Sequence, residues 1–130
     1  MLRAVSPCRV VIADDVEAAR ALFRAALEAD DRIEVVAEAA NGRDAVTAVD
    51  DHGPDVLLTD LAMPVMDGLQ VLLDLRSRQV PTAVVVLTGF ARDRLAPLVL
   101  EAGASAYLEK GATREVICRT VLDACGTAKA

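Results

Sequence analysis

The sequence has little of what membrane-spanning, secreted and nucleic-acid-binding proteins need. No apolar run approaches the roughly 18 to 20 residues that cross a bilayer, and residues 1–7 lack the apolar centre of a secretion signal. Lys and Arg number 14 against 20 Asp and Glu, for a net charge of -6, whereas proteins that bind a phosphate backbone neutralise it with clustered basic side chains. We therefore expect a cytoplasmic protein with no membrane partner and no direct binding of nucleic acid.

Cysteine and histidine are also scarce. The cysteines are Cys8, Cys118 and Cys125, an odd number without the close spacing of a metal-binding motif. The one histidine, His52, has no second histidine to join it as a metal ligand. We expect three reduced thiols with a structural role.

The length and composition favour one globular domain. A chain of 130 residues with 54% hydrophobic and 26% charged residues can bury a real core but is too short for two domains. We expect the domain at residues 8–126, with a flexible N-terminal tail at 1–7 and a C-terminal tail at 127–130.

Five short apolar or β-branched runs alternate with five segments of helical periodicity. The strands are predicted at residues 8–13, 33–39, 55–59, 82–87 and 104–109. The helices carry apolar residues at helical spacing, including Leu22, Leu73 and Leu98, which we expect to be buried. This alternation predicts an α/β fold, namely a doubly wound five-stranded parallel sheet in the flavodoxin-like (βα)5 order 2-1-3-4-5.

Reactive side chains follow four of the predicted strands. Strand one ends at Asp14 and Asp15, strand three at Asp60, strand four at Thr88 and strand five at Lys110. In the predicted order, strands one and three lie side by side where the winding reverses, and ligands bind outside their carboxyl ends. A single carboxylate at a strand end is commonly a solvated loop residue, but the combination indicates a functional site.

The predicted cluster of three carboxylates has a chemical consequence. Carboxylates at such close range must take up a proton or recruit a cation, and oxygen ligands supplemented by water suit Mg²⁺. With the charge neutralised, an aspartate can act as a nucleophile toward phosphorus. Lys110 would supply positive charge and Thr88 a hydroxyl hydrogen bond. Asp60 is the best nucleophile candidate because it stands alone on the central strand.

Four sequence runs resemble the receiver (CheY-like) domain of two-component response regulators: VIADD at 11–15, DLAMPVMDG at 60–68, TG at 88–89 and GASAYLEK at 103–110. The resemblance extends from about Arg9 to Cys125. The run KGATRE at 110–115 is most similar to the NarL/LuxR-type subgroup, whose regulators carry a helix-turn-helix domain. Since the sequence stops before such a domain, we expect either a stand-alone receiver or part of a longer regulator.

The resemblance implies a role for each matching residue of the site. Asp60 would accept a phosphoryl group from the phosphohistidine of a sensor histidine kinase. Asp15 would bind Mg²⁺ directly with Asp14 assisting, Asp60 and the backbone carbonyl of Ala62 would complete the protein ligands, and Lys110 would pair with the phosphoryl group. The domain would catalyse its own phosphorylation and slow dephosphorylation without being an enzyme in the usual sense.

The resemblance also implies a conformational switch. Thr88 would move toward the phosphoryl group, and Tyr107 would then rotate inward. That rotation would alter the face made by the fourth helix, fifth strand and fifth helix, which would bind an output domain or a second copy and so regulate transcription. An aromatic residue on a strand is otherwise usually part of the core.

Three departures from the family pattern lead to further predictions. Gly111 replaces the proline that commonly follows the lysine, and a cis bond at a non-proline residue costs about 3 kcal/mol, so we predict a trans bond between Lys110 and Gly111. Pro97 should kink the fourth helix or delay its start to near Ala96, leaving residues 90–95 loose. Ala62 and Phe90 cannot position a water molecule by a side-chain hydrogen bond, which predicts slow self-dephosphorylation.

Other functions fit the sequence less well. A haloacid dehalogenase-type phosphatase would have a second aspartate where Ala62 stands, and a flavodoxin-like flavin carrier would have a hydroxyl- and glycine-rich loop in place of Asp14 and Asp15. The remaining alternative is a protein-interaction module that has the receiver fold but is not phosphorylated.

Overall fold

The computed structural model describes residues 6–129, with side chains described through Gly126. The expected N-terminal tail lies outside the described residues apart from Ser6 and Pro7. The last helix continues to Lys129, into the segment expected to be a C-terminal tail, and Ala130 lies outside the description.

Within residues 6–129, five strands alternate with five helices. The strands are β1 (Cys8–Ala13), β2 (Ile33–Ala39), β3 (Val56–Thr59), β4 (Ala83–Thr88) and β5 (Ala106–Glu109). The helices are α1 (Glu17–Glu28), α2 (Gly42–His52), α3 (Gly68–Ser77), α4 (Arg92–Glu101) and α5 (Arg114–Lys129). All four strand pairs are parallel, in the order β2-β1-β3-β4-β5. The predicted fold and strand order are confirmed; β1 and β2 have the predicted bounds, and the ends of β3, β4 and β5 differ from the prediction by at most two residues.

The sheet separates two apolar clusters. Val10 and Ile12 of β1 face a cluster that includes Phe23 of α1 and Val121 of α5. Val11, between them, faces the opposite cluster with residues of α2, α3 and α4. Burial on both faces explains why the central strands are nearly continuous runs of apolar residues.

Side chains at the helix starts satisfy backbone N–H groups that have no partner within the helix. Asn41 Oδ1 accepts a hydrogen bond from the Asp44 N–H at 2.8 Å, and Thr113 Oγ1 accepts one from the Val116 N–H at 3.2 Å, as predicted for both caps. Asp67 and Gln70 form a reciprocal capping box that was not predicted. This box fixes the start of α3 just after the loop that follows β3.

Three leucines expected to be buried are exposed. Leu22, Leu73 and Leu98 are 66%, 50% and 52% exposed. Each lies beside a buried residue, and successive helix positions are about 100° apart. In each of these pairs the buried neighbour packs toward the core, and the leucine points toward solvent.

The expected late start of the fourth helix is wrong. The helix α4 begins at Arg92 and contains Pro97. Pro97 has no N–H, so the carbonyl of Asp93, four residues earlier, lacks its helical hydrogen bond. Both residues are exposed, so water can reach that carbonyl. The first turn is also held from β5, because Glu109 Oε2 accepts a hydrogen bond from the Arg92 N–H at 3.2 Å.

Two smaller predictions are confirmed. No cis peptide bond occurs among residues 6–129, so the bond between Lys110 and Gly111 is trans. Cys8, Cys118 and Cys125 are buried, and the structure joins none of them in a disulfide. In the described part of the chain, no helix is both long and apolar enough to span a membrane.

Candidate functional site

The carboxyl ends of β1 and β3 bring three acidic residues together. Ala13 and Thr59 are partners in the β1–β3 pairing, so the aspartates that follow them leave the sheet side by side. The Asp60 N–H donates to the Ala13 carbonyl at 3.0 Å. Carboxylate oxygens of Asp14, Asp15 and Asp60 lie within 4.8 Å of one another. The structure thus places all three predicted acidic residues in one cluster.

The three carboxylates differ in their surroundings. Asp14 and Asp60 are buried, whereas Asp15 is exposed. Asp14 Oδ1 accepts a hydrogen bond from the Val16 N–H at 2.9 Å. Asp14 Oδ2 lies 2.9 Å from Lys110 Nζ as an ion pair, but the contact lacks hydrogen-bond geometry and this oxygen has no hydrogen-bond donor.

The backbone and Lys110 orient the carboxylate of Asp60. Asp60 Oδ1 accepts a hydrogen bond from the Leu61 N–H at 2.7 Å and a longer one from the Ala62 N–H at 3.4 Å. Asp60 Oδ2 accepts a hydrogen bond from Lys110 Nζ at 2.8 Å. The role of the Leu61 N–H was missed from the sequence, because a backbone donor has no sequence signal.

Lys110 is the cation of the site. Burial lowers its pKa, but the hydrogen bond to Asp60 and the contact with Asp14 raise it by more, so its pKa is raised overall. Lys110 therefore remains charged at neutral pH and offsets part of the negative charge of the two buried carboxylates.

The residues present fit a hard divalent cation. The cluster offers carboxylate oxygens and contains neither thiol nor imidazole, which is the ligand set that Mg²⁺ prefers. Asp14 Oδ2 is buried and accepts no hydrogen bond, and its ion pair with Lys110 Nζ at 2.9 Å leaves lone pairs that can coordinate a cation. Asp15 and Ala62 are exposed at the edge of the cluster, so water can complete the coordination.

Thr88 lies at the end of the neighbouring strand β4. Its backbone carbonyl accepts a hydrogen bond from the Lys110 N–H at 2.8 Å, which ties together the strand ends that carry the two predicted residues. Its hydroxyl oxygen is buried and has no hydrogen-bond partner. The Thr88 hydroxyl is therefore available to a group that enters the site.

Tyr107 is buried in the apolar cluster that also contains residues of α4. Its hydroxyl donates a hydrogen bond to the Phe90 carbonyl at 3.0 Å. Burial, and to a lesser extent the charges of Glu109 and Asp60, raises its pKa above the ordinary value of 10.0. The ring thus occupies an inward position in this structure.

Two contacts that the sequence did not predict join β5 to α4. Arg92 Nη1 donates a hydrogen bond to the Tyr107 carbonyl at 2.8 Å, while Glu109 accepts one from the Arg92 N–H. These residues are 15 and 17 positions apart in the chain. Only the folded chain shows that they meet.

A glycine allows α3 to begin against the backbone of Asp60. The Gly68 N–H donates to the Leu61 carbonyl at 2.8 Å. A Cβ atom at Gly68 would overlap the Asp60 carbonyl oxygen and lie 2.9 Å from Leu61 Cα. The close approach of helix and loop therefore requires glycine at this position.

Comparison with known proteins gives consistent matches. The family model for the response regulator receiver domain matches residues 10–122. The transcriptional regulatory protein NarL of Mycobacterium tuberculosis is 37% identical over 115 residues, which are 88% of this chain and 53% of NarL. Protein-glutamate methylesterase/protein-glutamine glutaminase 5 of Myxococcus xanthus is 42% identical over 107 residues, which are 82% of this chain and 31% of that protein.

A solved structure of the signal receiver domain of NarL from Mycobacterium tuberculosis superposes with a TM-score of 0.90 at 35% identity. The match covers 94% of this chain and 98% of that structure. This chain thus matches a whole isolated domain, but it spans about half or less of the two longer relatives described above.

Proposed function

This chain belongs to the receiver domain family of two-component response regulators, and we propose that it accepts a phosphoryl group on Asp60 in a Mg²⁺-dependent reaction. The observation that carries the proposal is the arrangement of Asp60, which lies in a cluster of three carboxylates and is hydrogen-bonded to Lys110 Nζ at 2.8 Å. The phosphoryl donor is the phosphohistidine of a sensor histidine kinase.

The bond changes of the transfer are simple. A carboxylate oxygen of Asp60 attacks phosphorus, the bond between phosphorus and the imidazole nitrogen breaks, and an acyl phosphate forms on Asp60. Phosphoryl transfer depends mainly on positioning and on positive charge around the equatorial oxygens. The hydrogen bond from the Leu61 N–H to Asp60 Oδ1 at 2.7 Å fixes the orientation of the nucleophile.

Asp14, Asp15, Asp60 and the Ala62 carbonyl would hold Mg²⁺. When bound, the ion would supply positive charge that offsets the negative charge of the carboxylates and of the phosphoryl group. Lys110 lies between Asp14 and Asp60 at 2.9 and 2.8 Å. Its ammonium group moves from pairing with carboxylate oxygens to pairing with a phosphoryl oxygen.

Thr88 and Tyr107 form the conformational response. The Thr88 hydroxyl has no hydrogen-bond partner, so donating to a phosphoryl oxygen sacrifices no existing bond. Tyr107 lies on the adjacent strand and is hydrogen-bonded to the Phe90 carbonyl. We propose that movement of Thr88 holds Tyr107 in its inward position and so fixes one arrangement of the surface formed by α4, β5 and α5.

The acyl phosphate should be long-lived. Ala62 and Phe90 line a groove beside Asp15 together with other apolar residues. Neither side chain has a group that can hold an attacking water molecule in line with the phosphorus. Slow self-dephosphorylation follows.

We propose that the α4-β5-α5 surface transmits the signal to an output domain or to a second copy of the chain. The relative NarL is a transcriptional regulatory protein and another relative is a methylesterase. The similarity to NarL and the run KGATRE at 110–115 favour transcription as the output, through an attached or partner helix-turn-helix domain.

Incubation with acetyl phosphate and Mg²⁺, followed by intact mass measurement, tests the proposal. We expect one phosphoryl adduct on the parent chain and none on the Asp60→Ala variant. EDTA should prevent the adduct on the parent chain. A folded parent chain without an adduct, under conditions that label another receiver domain, would instead support an interaction module that is not phosphorylated.

A further inference from the structure

The amino ends of the strands hold a second cluster of potential metal ligands. Sulfur atoms of Cys8 and Cys125 and a carboxylate oxygen of Asp55 lie within 4.8 Å of one another. Cys8 begins β1, Asp55 immediately precedes β3, and Cys125 lies near the end of α5. Asp14 follows Cys8 by six residues and lies just past the opposite end of β1. Because a strand rises about 3.3 Å per residue, the two residues are about 20 Å apart. This cluster is therefore separate from the carboxylates around Asp60.

The backbone fixes the acidic member of the cluster. Asp55 Oδ2 accepts a hydrogen bond from the Arg9 N–H at 2.9 Å, and the Asp55 N–H donates to the Arg9 carbonyl at 2.8 Å. The Asp55 carbonyl also accepts a hydrogen bond from the Ala83 N–H at 3.0 Å. Because Arg9 follows Cys8 directly, these bonds hold the carboxylate next to the first cysteine.

We propose that Cys8, Asp55 and Cys125 bind a zinc ion. Zinc takes thiolate sulfur at about 2.3 Å and carboxylate oxygen at about 2.0 to 2.2 Å, so two ligands of one tetrahedral ion lie about 3.5 to 3.8 Å apart. The three donor atoms lie within 4.8 Å of one another, so the most distant pair must approach by up to about 1 Å when the ion binds. Two sulfurs and one oxygen suit zinc better than Cu⁺, which favours sulfur alone, or Mg²⁺, which favours oxygen.

Zinc uses all three donors of the cluster. A disulfide would join the two sulfurs but would not engage the carboxylate of Asp55, which lies beside them. Zinc binding displaces the two thiol protons to solvent and forms two zinc–thiolate bonds and one zinc–carboxylate bond. Three protein ligands leave the fourth tetrahedral position for water.

The cluster lies beside exposed and half-buried residues in the described part of the chain, and Asp55 itself is half-buried. Cys8 and Cys125 are buried, but the residues beside them in the chain, Pro7 and Gly126, are exposed. Once bound, zinc would join the starts of β1 and β3 to the end of α5. The proposed consequence is a fixed position for α5, which forms part of the proposed output surface.

Titration of the reduced, EDTA-treated chain with ZnCl₂ against a chromophoric chelator tests the proposal. We expect one tightly bound equivalent. Either Cys8→Ala or Cys125→Ala should weaken binding at least about tenfold, and Asp55→Asn should weaken it to a smaller degree. Cys118→Ala is the matched control, since Cys118 is buried in the same apolar cluster but lies outside the trio. It should bind as the parent chain does, and so should Asp60→Ala.

Substitution with Co²⁺ gives a second measurement that does not depend on the variants folding normally. Two thiolate ligands predict an intense sulfur-to-cobalt charge-transfer band in the parent chain. Three results would overturn the proposal: a parent spectrum without this band, zinc binding that disappears in Asp60→Ala, or a reduced parent chain that binds no zinc while peroxide joins Cys8 to Cys125.

Discussion

Replacing Gly68 with alanine would place a methyl group where α3 begins against the loop that carries Asp60. The added Cβ atom would overlap the Asp60 carbonyl oxygen and lie 2.9 Å from Leu61 Cα. Both neighbours are backbone atoms, so neither can move aside by a change of rotamer. The chain must instead shift the start of α3 or the loop after β3.

The magnitude follows from the cost of overpacking. Inserting a methyl group into a close-packed site costs about 1 to 3 kcal/mol, and the gain in helix propensity from glycine to alanine offsets less than about 1 kcal/mol at a helix start. We expect a net loss of about 1 to 2 kcal/mol. With an unfolding entropy of about 2.1 cal/mol/K per residue, this loss lowers the Tm by about 4 to 7 °C.

Gly126 provides the matched control. It lies in α5, and a Cβ atom there would have no neighbour within 4 Å among the atoms that the structure describes. Gly126→Ala should stabilise the chain by about 0.5 to 1 kcal/mol and raise the Tm by about 2 to 4 °C.

Thermal unfolding followed by circular dichroism compares both variants with the parent chain. Gly68→Ala should also accept phosphate from acetyl phosphate more slowly, because a displaced Asp60 backbone misaligns the nucleophile. A Gly68→Ala variant as stable and as rapidly labelled as the parent chain would refute the proposed close packing of α3 against Asp60.

Three further predictions concern the site and its surroundings. Mg²⁺ at ten times its dissociation constant should stabilise the parent chain by about 1.4 kcal/mol. EDTA should reverse this stabilisation, and Asp15→Asn should weaken it. An equal stabilisation of the Asp15→Asn variant would exclude the carboxylate cluster as the Mg²⁺ site. Tyr107 should ionise above its ordinary pKa of 10.0 in the folded chain. The unfolded chain loses the Tyr107 proton at a lower pH than the folded chain does, so the contribution of Tyr107 to folding stability should fall as the pH rises above about 10. Absorbance titration of this single tyrosine measures the pKa shift. A normal titration curve for the folded chain would show that the Tyr107 ring is not buried. Phe90→Glu should shorten the lifetime of the acyl phosphate, measured by loss of the mass adduct, by providing an acceptor for the attacking water; an unchanged lifetime would contradict the proposed cause of slow dephosphorylation.

The fold and the arrangement of the site were predictable because they depend on local signals. Four of the five strands are short apolar runs that end at or just before a polar residue, and the alternation of strands with helices restricts the topology to few arrangements. Once β1 and β3 are neighbours, the residues that follow them must meet. Asp14 and Asp60 could therefore be placed together without a structure.

The errors arose where distant residues decide the outcome. Helical spacing placed Leu22 and Leu98 on the apolar faces of their helices, but it could not show which of two adjacent apolar residues packs against the sheet. Pro97 suggested a late helix start, whereas Glu109 and Arg92 hold the first turn of α4 through contacts with β5.

The proposed zinc ligands had no sequence signal. Cys8, Asp55 and Cys125 come from three separate elements, and the spacing of the cysteines gave no indication of a metal site. Their proximity appears only when the amino ends of β1 and β3 meet the end of α5.

The most direct test of the central claim is to locate the phosphoryl group. Borohydride reduces an acyl phosphate of aspartate to homoserine, and peptide mass spectrometry can identify the altered residue. After treatment with acetyl phosphate and Mg²⁺, we expect homoserine at position 60 and at no other position. Homoserine at position 14 or 15, or its absence from a chain that carries the mass adduct, would contradict the assignment of Asp60 as the phosphoacceptor.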